Sequence, residues 1–333
     1  MKFLSCLVAA LNLICCCGCN DGGSSSDSNT AASKGNQSAT LALNWYAEAE
    51  HGGYIAAKES GLYEQAGVDM TIEPGGPGAP NQVILDLATG RIQFAISNAD
   101  MVVLGRSKEI PLVAVAAPLQ HSPRCIMVHE SSGIESLKEL SNVELAISES
   151  RPFALWMKKK LPLTNVTMVP FAGQVGEFVL NEKFAQQGYV FSEPFTAAEK
   201  GSDPRVLLLS EIDFDPYASL LVTTEDVIRN NPELVRQVVG ASVEGWRRYL
   251  KTPEATNKAI HAKNKDMSME ALAFGVDAMR PLCGAEDSSL CEMSIERWQT
   301  LISQIEEVGE IDSASVAAEV CFTNDFLVDR TAK

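Results

Sequence analysis

A stacking surface, hydrogen-bond donors and carboxylate acceptors occur together in one short stretch, Asn44-Trp45-Tyr46-Ala47-Glu48-Ala49-Glu50-His51. That set suits non-covalent recognition of a planar, polar ring. Trp45 either plugs a core at a strand end or stacks on a heterocycle, a contact worth about 0.5–1.5 kcal/mol beyond burial. His51 has no partner His or Cys at ligand spacing, so a metal site is not indicated. It reads as a hydrogen-bonding group in a cleft, or as a residue capping a helix start. One of Glu48 and Glu50 is expected to face solvent, and Glu50 is the one assigned to the cleft. Tyr54, a short turn further on, either closes the pocket or packs.

Other candidates stand where an apolar run gives way to a helix. Ser97, Asn98 and Asp100 follow the run Ile92–Ile96; Asn98 or Asp100 can cap the next helix and still meet a ligand. Glu149 and Arg151, in Ser148-Glu149-Ser150-Arg151, precede a helix opened by Pro152. Arg151 is the only strong cation expected at a cleft edge. It can grip a carboxylate, phosphate or sulfonate with two prongs, or it is an ordinary surface arginine. Phe171 and Gln174 mark the next strand end. Glu193, in VFSEPF, suits an aminopyrimidine, which offers an amino group and a protonable ring nitrogen; it is equally a first-turn glutamate favouring the helix dipole. Tyr217 completes the set of ligand candidates. There is no P-loop, GxSxG or HExxH motif, and no cofactor or metal is expected.

The elements that must position these residues alternate. Apolar runs predict strands at Leu41–Tyr46, Val68–Ile72, Ile92–Ile96 and Leu112–Ala117. Helices are predicted between them at Tyr54–Ala66, Asn81–Thr89 and Met101–Lys108. Gly67 ends the first helix, where positive φ is wanted. Gly75-Gly76-Pro77-Gly78 lacks the spacing of a dinucleotide fingerprint and reads as a sharp turn, with Pro80 opening a helix. The alternation implies a parallel sheet covered on both faces. Pro118 to Pro123 interrupts it, and strands then resume at Arg124–Val128, Glu144–Ser148, Val166–Phe171, Tyr189–Phe191 and Val206–Leu209. Asp213 to Tyr217 reads as a second crossing, followed by a strand at Ala218–Thr223. Beyond Asn230 the chain is helical, with Val235, Val239, Trp246 and Leu250 on one face and Trp298, Leu301, Ile302, Ile305 and Val308 on another. The expectation is an α/β chain of two lobes, 41–118 with 229–333 and 119–228. The ligand sits in the cleft between them, beyond the carboxyl ends of the strands.

Asn44-Trp45, then His51, a short helix ending near Gly67 and the strand Val68–Ile72 together resemble the start of the SsuA/THI5-like (NMT1) family. The similarity runs from about Leu41 to Phe326. It implies the type II periplasmic-binding-protein architecture, with a two-segment hinge that closes on the ligand and a helical C-terminal tail. The family holds solute-binding proteins of ABC importers and fungal enzymes that make the thiamin pyrimidine. The resemblance therefore implies a small-molecule ligand, permease and ATPase subunits as partners, and an aromatic ligand beside Trp45. A thiamin-precursor pyrimidine comes first, and riboflavin, sulfonate, taurine or nitrate are the alternatives. A glutamate resembling Glu193 stands in the fungal enzymes. Their CCCFC iron motif has no counterpart, since that place reads IDFDPYAS here. The histidine they consume is replaced near Met101. Binding rather than synthesis is the expectation.

Composition bounds the rest. With 333 residues, 46% hydrophobic and 21% charged, the chain buries one large or two ordinary cores. A net charge of −16 at pH 7 repels phosphate backbones, so nucleic acid is not an expected partner. Lys2 followed by the apolar run Phe3 to Cys17 suits a secretory leader. Gly18-Cys19 resembles a lipobox, so Cys19 is the expected lipidation site and residues 1–19 the leader. Residues 20–40, rich in Ser, Gly, Asn and Asp, read as a flexible tether. The expectation is an exported, lipid-anchored monomer that meets the membrane through that anchor. Of the remaining cysteines, Cys283 and Cys291 bracket a short polar loop and are expected to form a disulfide, with free thiols as the alternative; no pairing is assigned to Cys125 and Cys321.

Overall fold

The structure is a computed structural model, and it describes residues 36–284 and 290–327. The leader, Cys19 and the tether up to residue 35 lie outside the described residues. The tether expectation fails at its end, because residues 37–40 belong to the first strand.

In chain order the strands are β1 Gln37–Ala42, β2 Val68–Glu73, β3 Phe94–Ser97, β4 Leu112–Ala116, β5 Arg124–His129, β6 Glu144–Ala146, β7 Thr167–Val169, β8 Phe184–Tyr189, β9 Pro204–Leu208 and β10 Leu220–Thr224. They form two five-stranded sheets, ordered β2-β1-β3-β10-β4 and β7-β6-β8-β5-β9. The sheets are mixed, not parallel as expected: β10 runs against both of its neighbours in the first sheet, and β5 against both of its neighbours in the second. Each reversed strand follows directly on a crossing between sheets. It therefore enters its new sheet from the cleft side. Leu220–Thr224 pairs in the first sheet, whereas the expected boundaries grouped it with residues 119–228.

Helices lie between and after the strands: α1 Gly52–Glu59, α2 Leu62–Gln65, α3 Ala79–Ala88, α4 Ala99–Arg106, α5 Pro152–Lys160, α6 Gly176–Leu180, α7 Glu193–Glu199 and, directly following β10, α8 Glu225–Asn230. The helix expected over Tyr54–Ala66 is broken by Gly61, which takes φ +70°. After β10 come α9 Pro232–Lys251, α10 Glu254–Lys263, α11 Met269–Met279 and α12 Ile295–Glu307. The apolar face of α9 buries Val235, Val239, Trp246 and Leu250, and α9 lies along α1. The two crossings touch: the Ala218 amide donates to the Leu119 carbonyl at 3.3 Å, and the Ser122 amide to Asp215 Oδ1 at 2.6 Å.

Helix α1 approaches α9 through glycine. A Cβ at Gly245 would stand 2.2 Å from the Gly53 carbonyl oxygen, and one at Gly53 would stand 2.1 Å from the Trp246 ring. Overpacking of this kind costs about 1–3 kcal/mol, and a backbone contact leaves little room to relax. Gly245→Ala should therefore lower the unfolding free energy by at least about 2 kcal/mol. The denaturant midpoint measures this; an unchanged midpoint would mean the helices separate freely. Because α1 follows the site loop directly, the same helix pair holds that loop in place.

The expected disulfide is absent. Cys283 and Cys291 are both buried free thiols, as are Cys125 and Cys321. Cys291 is tied to the edge of the first sheet, where its carbonyl accepts the Ala117 amide at 3.0 Å. Cys283 is tied to the end of α11, its amide donating to Met279. Separate anchors set the two positions.

Candidate functional site

The two sheets face each other across a cavity of about 200 Å³. Asn44, Trp45, Glu50, Asn98, Asp100, Arg151 and Glu193, all singled out from sequence, line it together with Ser97 and Phe171. Parallel strands explain the convergence. The loops after β1 and β3 open at one edge of the first sheet, and those after β6, β7 and β8 at one edge of the second.

Five candidates lie elsewhere. His51 is fully buried behind the cavity. Its Nδ1 accepts the Glu48 amide at 3.3 Å, so Nε2 carries the proton and donates to Asn44 Oδ1 at 3.0 Å. Burial lowers its pKa to about 3, which keeps the ring neutral. With Oδ1 occupied, the Asn44 amide has its N–H groups left for the cavity. Tyr54 is fully buried too, and its hydroxyl donates to the Ser219 carbonyl at 2.8 Å. Glu149 is exposed and pairs with Lys158 at 2.6 Å. Gln174 is exposed and outside the lining. Tyr217 is buried in the second crossing, where its hydroxyl accepts the Ser294 amide at 2.9 Å and Arg297 covers its ring. In four of the five a partner within the protein takes the polar atom, and Gln174 faces solvent.

Trp45 is half-buried and edge-on to Tyr46. Opposite it runs the loop Phe171-Ala172-Gly173 from the second sheet. A Cβ at Gly173, whose φ is +76°, would stand 3.3 Å from Trp45 Cζ2. A side chain there would be strained by that backbone and would crowd the indole. One indole thus belongs to one sheet's loop and is covered by the other's.

The carboxylates are denser than expected. Neither Glu48 nor Glu50 faces solvent; they are 8% and 2% exposed. Burial pushes Glu48 well above the usual carboxylate range, and the charges of Glu193 and Glu50 add to it. Burial raises Glu50 to about 7, with the Glu193 charge adding, while a 2.7 Å hydrogen bond from Ser219 Oγ and the charge of Arg124 pull it back. Glu193 is raised by burial, although its Oε2 accepts the Tyr189 amide at 2.8 Å. Among the described residues no three His, Cys, Asp or Glu side chains are placed to hold a metal ion.

Sequence reading missed Arg124, Tyr189, Ser219 and Gln187. Arg124 lies over the Phe153 ring at 4.1 Å and the Tyr189 ring at 5.0 Å. Its Nη2 donates to the Tyr189 hydroxyl at 3.0 Å, and Asn98 Nδ2 donates to the same oxygen at 2.9 Å from the other sheet. A phenol accepting two hydrogen bonds still has one to donate. Asn98 Oδ1 meanwhile accepts the Ser219 amide at 3.0 Å. Arg151 reaches across the mouth to Asn81 Oδ1 at 3.3 Å and contacts Met101 Sδ. The cleft is closed, and it offers a guest an aromatic face, a dense set of carboxylate acceptors and a few donors.

Residues 48–256 match the family described as NMT1/THI5 like. The chain belongs to that family. This NMT1/THI5-like chain is 23% identical over 87% of its length to the riboflavin-binding protein RibY of Chloroflexus aurantiacus, covering 86% of that protein. It is 33% identical to the formylaminopyrimidine-binding protein of Halalkalibacterium halodurans, over 36% of this chain and 34% of that one. Among solved structures it is similar to the periplasmic aliphatic sulphonate binding protein SsuA from Escherichia coli, with TM-score 0.66, 16% identity, and coverage of 85% and 91%. That likeness speaks for fold alone, and the fold is the periplasmic-binding-protein one expected from the sequence.

Proposed function

We propose that this chain is an exported solute-binding protein that delivers a small planar heterocycle to an ABC importer, and that the heterocycle is an aminopyrimidine of the thiamin-precursor type. The observation that carries this is Trp45 standing in the same closed cavity as Glu48, Glu50 and Glu193. An indole face grips a flat ring, and carboxylates accept from its amino edge. Asn44 and Tyr189 supply donors for the ring acceptors. The cavity, at about 200 Å³, falls below the 300–1,000 Å³ common for drug-sized ligands. That size suits one ring better than a three-ring flavin. Four carboxylates facing two guanidinium groups weigh against sulfonate or nitrate, because an anion there meets like charge. No step of covalent chemistry is required.

The test is a melting scan of the purified chain against a hydroxymethyl-aminopyrimidine, riboflavin, taurine and nitrate. The pyrimidine should raise the midpoint most. Trp45→Ala should weaken its binding about tenfold, from the lost stacking, with the indole fluorescence change lost as well. A flat response to all four solutes would sink the binding reading. Binding of a sulfonate that survives Trp45→Ala and vanishes in Arg151→Ala would replace the pyrimidine with an anion.

A further inference from the structure

The carboxylates of the cavity come from both sides of the cleft. Glu48 and Glu50 stand on the loop after β1 of the first sheet, and Glu193 opens α7 after β8 of the second. We propose that closure of the two lobes is coupled to neutralisation of this split carboxylate cluster, by protons when the cavity is empty and by the guest's hydrogen-bond donors when it is filled. This rests on the reading of the cavity as a guest site between two moving lobes.

The argument is one of charge and burial. In the closed form Glu193 is near enough to Glu48 and Glu50 for its charge to disfavour theirs. The other titratable groups facing the cluster do not cancel it. Asp100, from α4, adds a further carboxyl group to the lining and no cation. His51, at 3.6 Å from Glu50, is neutral. The Cys125 thiol beside Glu193 is held neutral by burial. Tyr189 is raised to about 12 and stays neutral. Arg151 is engaged at the mouth by Asn81 and Met101. Arg124 is the cation that faces the cluster directly, and it is a single charge against three. Opening the cleft separates Glu193 from the other two and rehydrates all three. Repulsion inside a dry cavity is far stronger than in water, so an empty, fully ionised cleft favours the open form. A donor-rich guest removes that repulsion where an anionic guest increases it.

The experiment is small-angle scattering of the whole chain without added solute at about pH 5.5 and about pH 8.5. The radius of gyration should be larger at the higher pH. Glu48→Gln with Glu193→Gln, which keeps size and hydrogen-bonding atoms, should hold the compact value at both. Glu193→Gln alone serves as the second variant and should lose most of the pH response. A wild-type radius that ignores pH overturns the proposal, and so does a variant that responds as strongly as the wild type. The hydroxymethyl-aminopyrimidine, added at the higher pH, separates this idea from the functional one. If it compacts the chain while pH alone does nothing, the linkage fails and the pyrimidine reading stands. If pH compacts the empty chain and the pyrimidine does not, the linkage stands and the pyrimidine reading falls.

Discussion

Glu193→Gln should weaken aminopyrimidine binding by about 2 kcal/mol, a factor of roughly 30, because hydrogen bonds to charged groups contribute about 1.5–3 kcal/mol. The glutamine still accepts the Tyr189 amide through its carbonyl oxygen, as Glu193 Oε2 does at 2.8 Å, so the loop should keep its shape. What is lost is the negative charge facing the guest's amino edge. Calorimetric titration of wild type and variant, each with the aminopyrimidine and with its analogue lacking the exocyclic amino group, closes a double cycle. The analogue should bind wild type and variant with nearly equal, weak affinity. Full affinity of the variant for the parent pyrimidine would mean that Glu193 does not face the guest. The assignment of an amino edge to this side of the cavity would then be wrong.

Glu50→Gln should stabilise the protein in alkaline solution and leave it unchanged in acid. Burial, with the Glu193 charge, raises Glu50 from 4.5 to about 7. A carboxyl whose folded pKa lies above its unfolded one binds its proton more tightly in the native state. Its contribution to stability is complete below about 4.5, declines as pH rises, and is lost once pH passes about 7. The shift corresponds to roughly 3 kcal/mol at pH 8, since one pKa unit is worth about 1.4 kcal/mol. Glutamine keeps an acceptor for Ser219 Oγ and carries no charge to desolvate. Denaturant unfolding at about pH 4 and about pH 8 measures the effect. The variant should gain up to about 3 kcal/mol over wild type at the higher pH and about nothing at the lower. Equal gains at both would show that Glu50 is not titrating between them.

Both expectations depend on groups that sequence reading located unevenly. Asn44, Trp45, Asn98 and Glu193 were legible because each stands where an apolar run ends and a helix begins. In a parallel sheet all such positions share one edge. Arg151 was legible for the same reason, although its role at the mouth, bonded to Asn81, is a matter of the closed cleft. His51 was legible as a residue and misplaced as a ligand. Its type and position do not tell that the Glu48 amide and the Asn44 side chain occupy both ring nitrogens. Tyr54 and Tyr217 were misplaced in the same way, each hydroxyl satisfied by backbone from a distant segment. One of Glu48 and Glu50 was expected to face solvent, and local spacing offers no sign that both are enclosed.

By itself the sequence determined the α/β alternation, the two crossings, the helical tail and the strand-end positions from which most of the cavity is built. These follow from periodicity and turn chemistry, which act over a few residues. Only the tertiary structure decided which way β5 and β10 run. Because β5 is reversed, Arg124 at its start pairs with Tyr189 at the end of β8, and the cation arrives at the edge where the parallel strands finish. Because β10 is reversed, Leu220 pairs with Ser97, which brings the adjacent Ser219 to Glu50 and Asn98. Strand direction is set by how the chain re-enters a sheet after crossing between lobes. That is a property of the whole path, and no window of residues contains it.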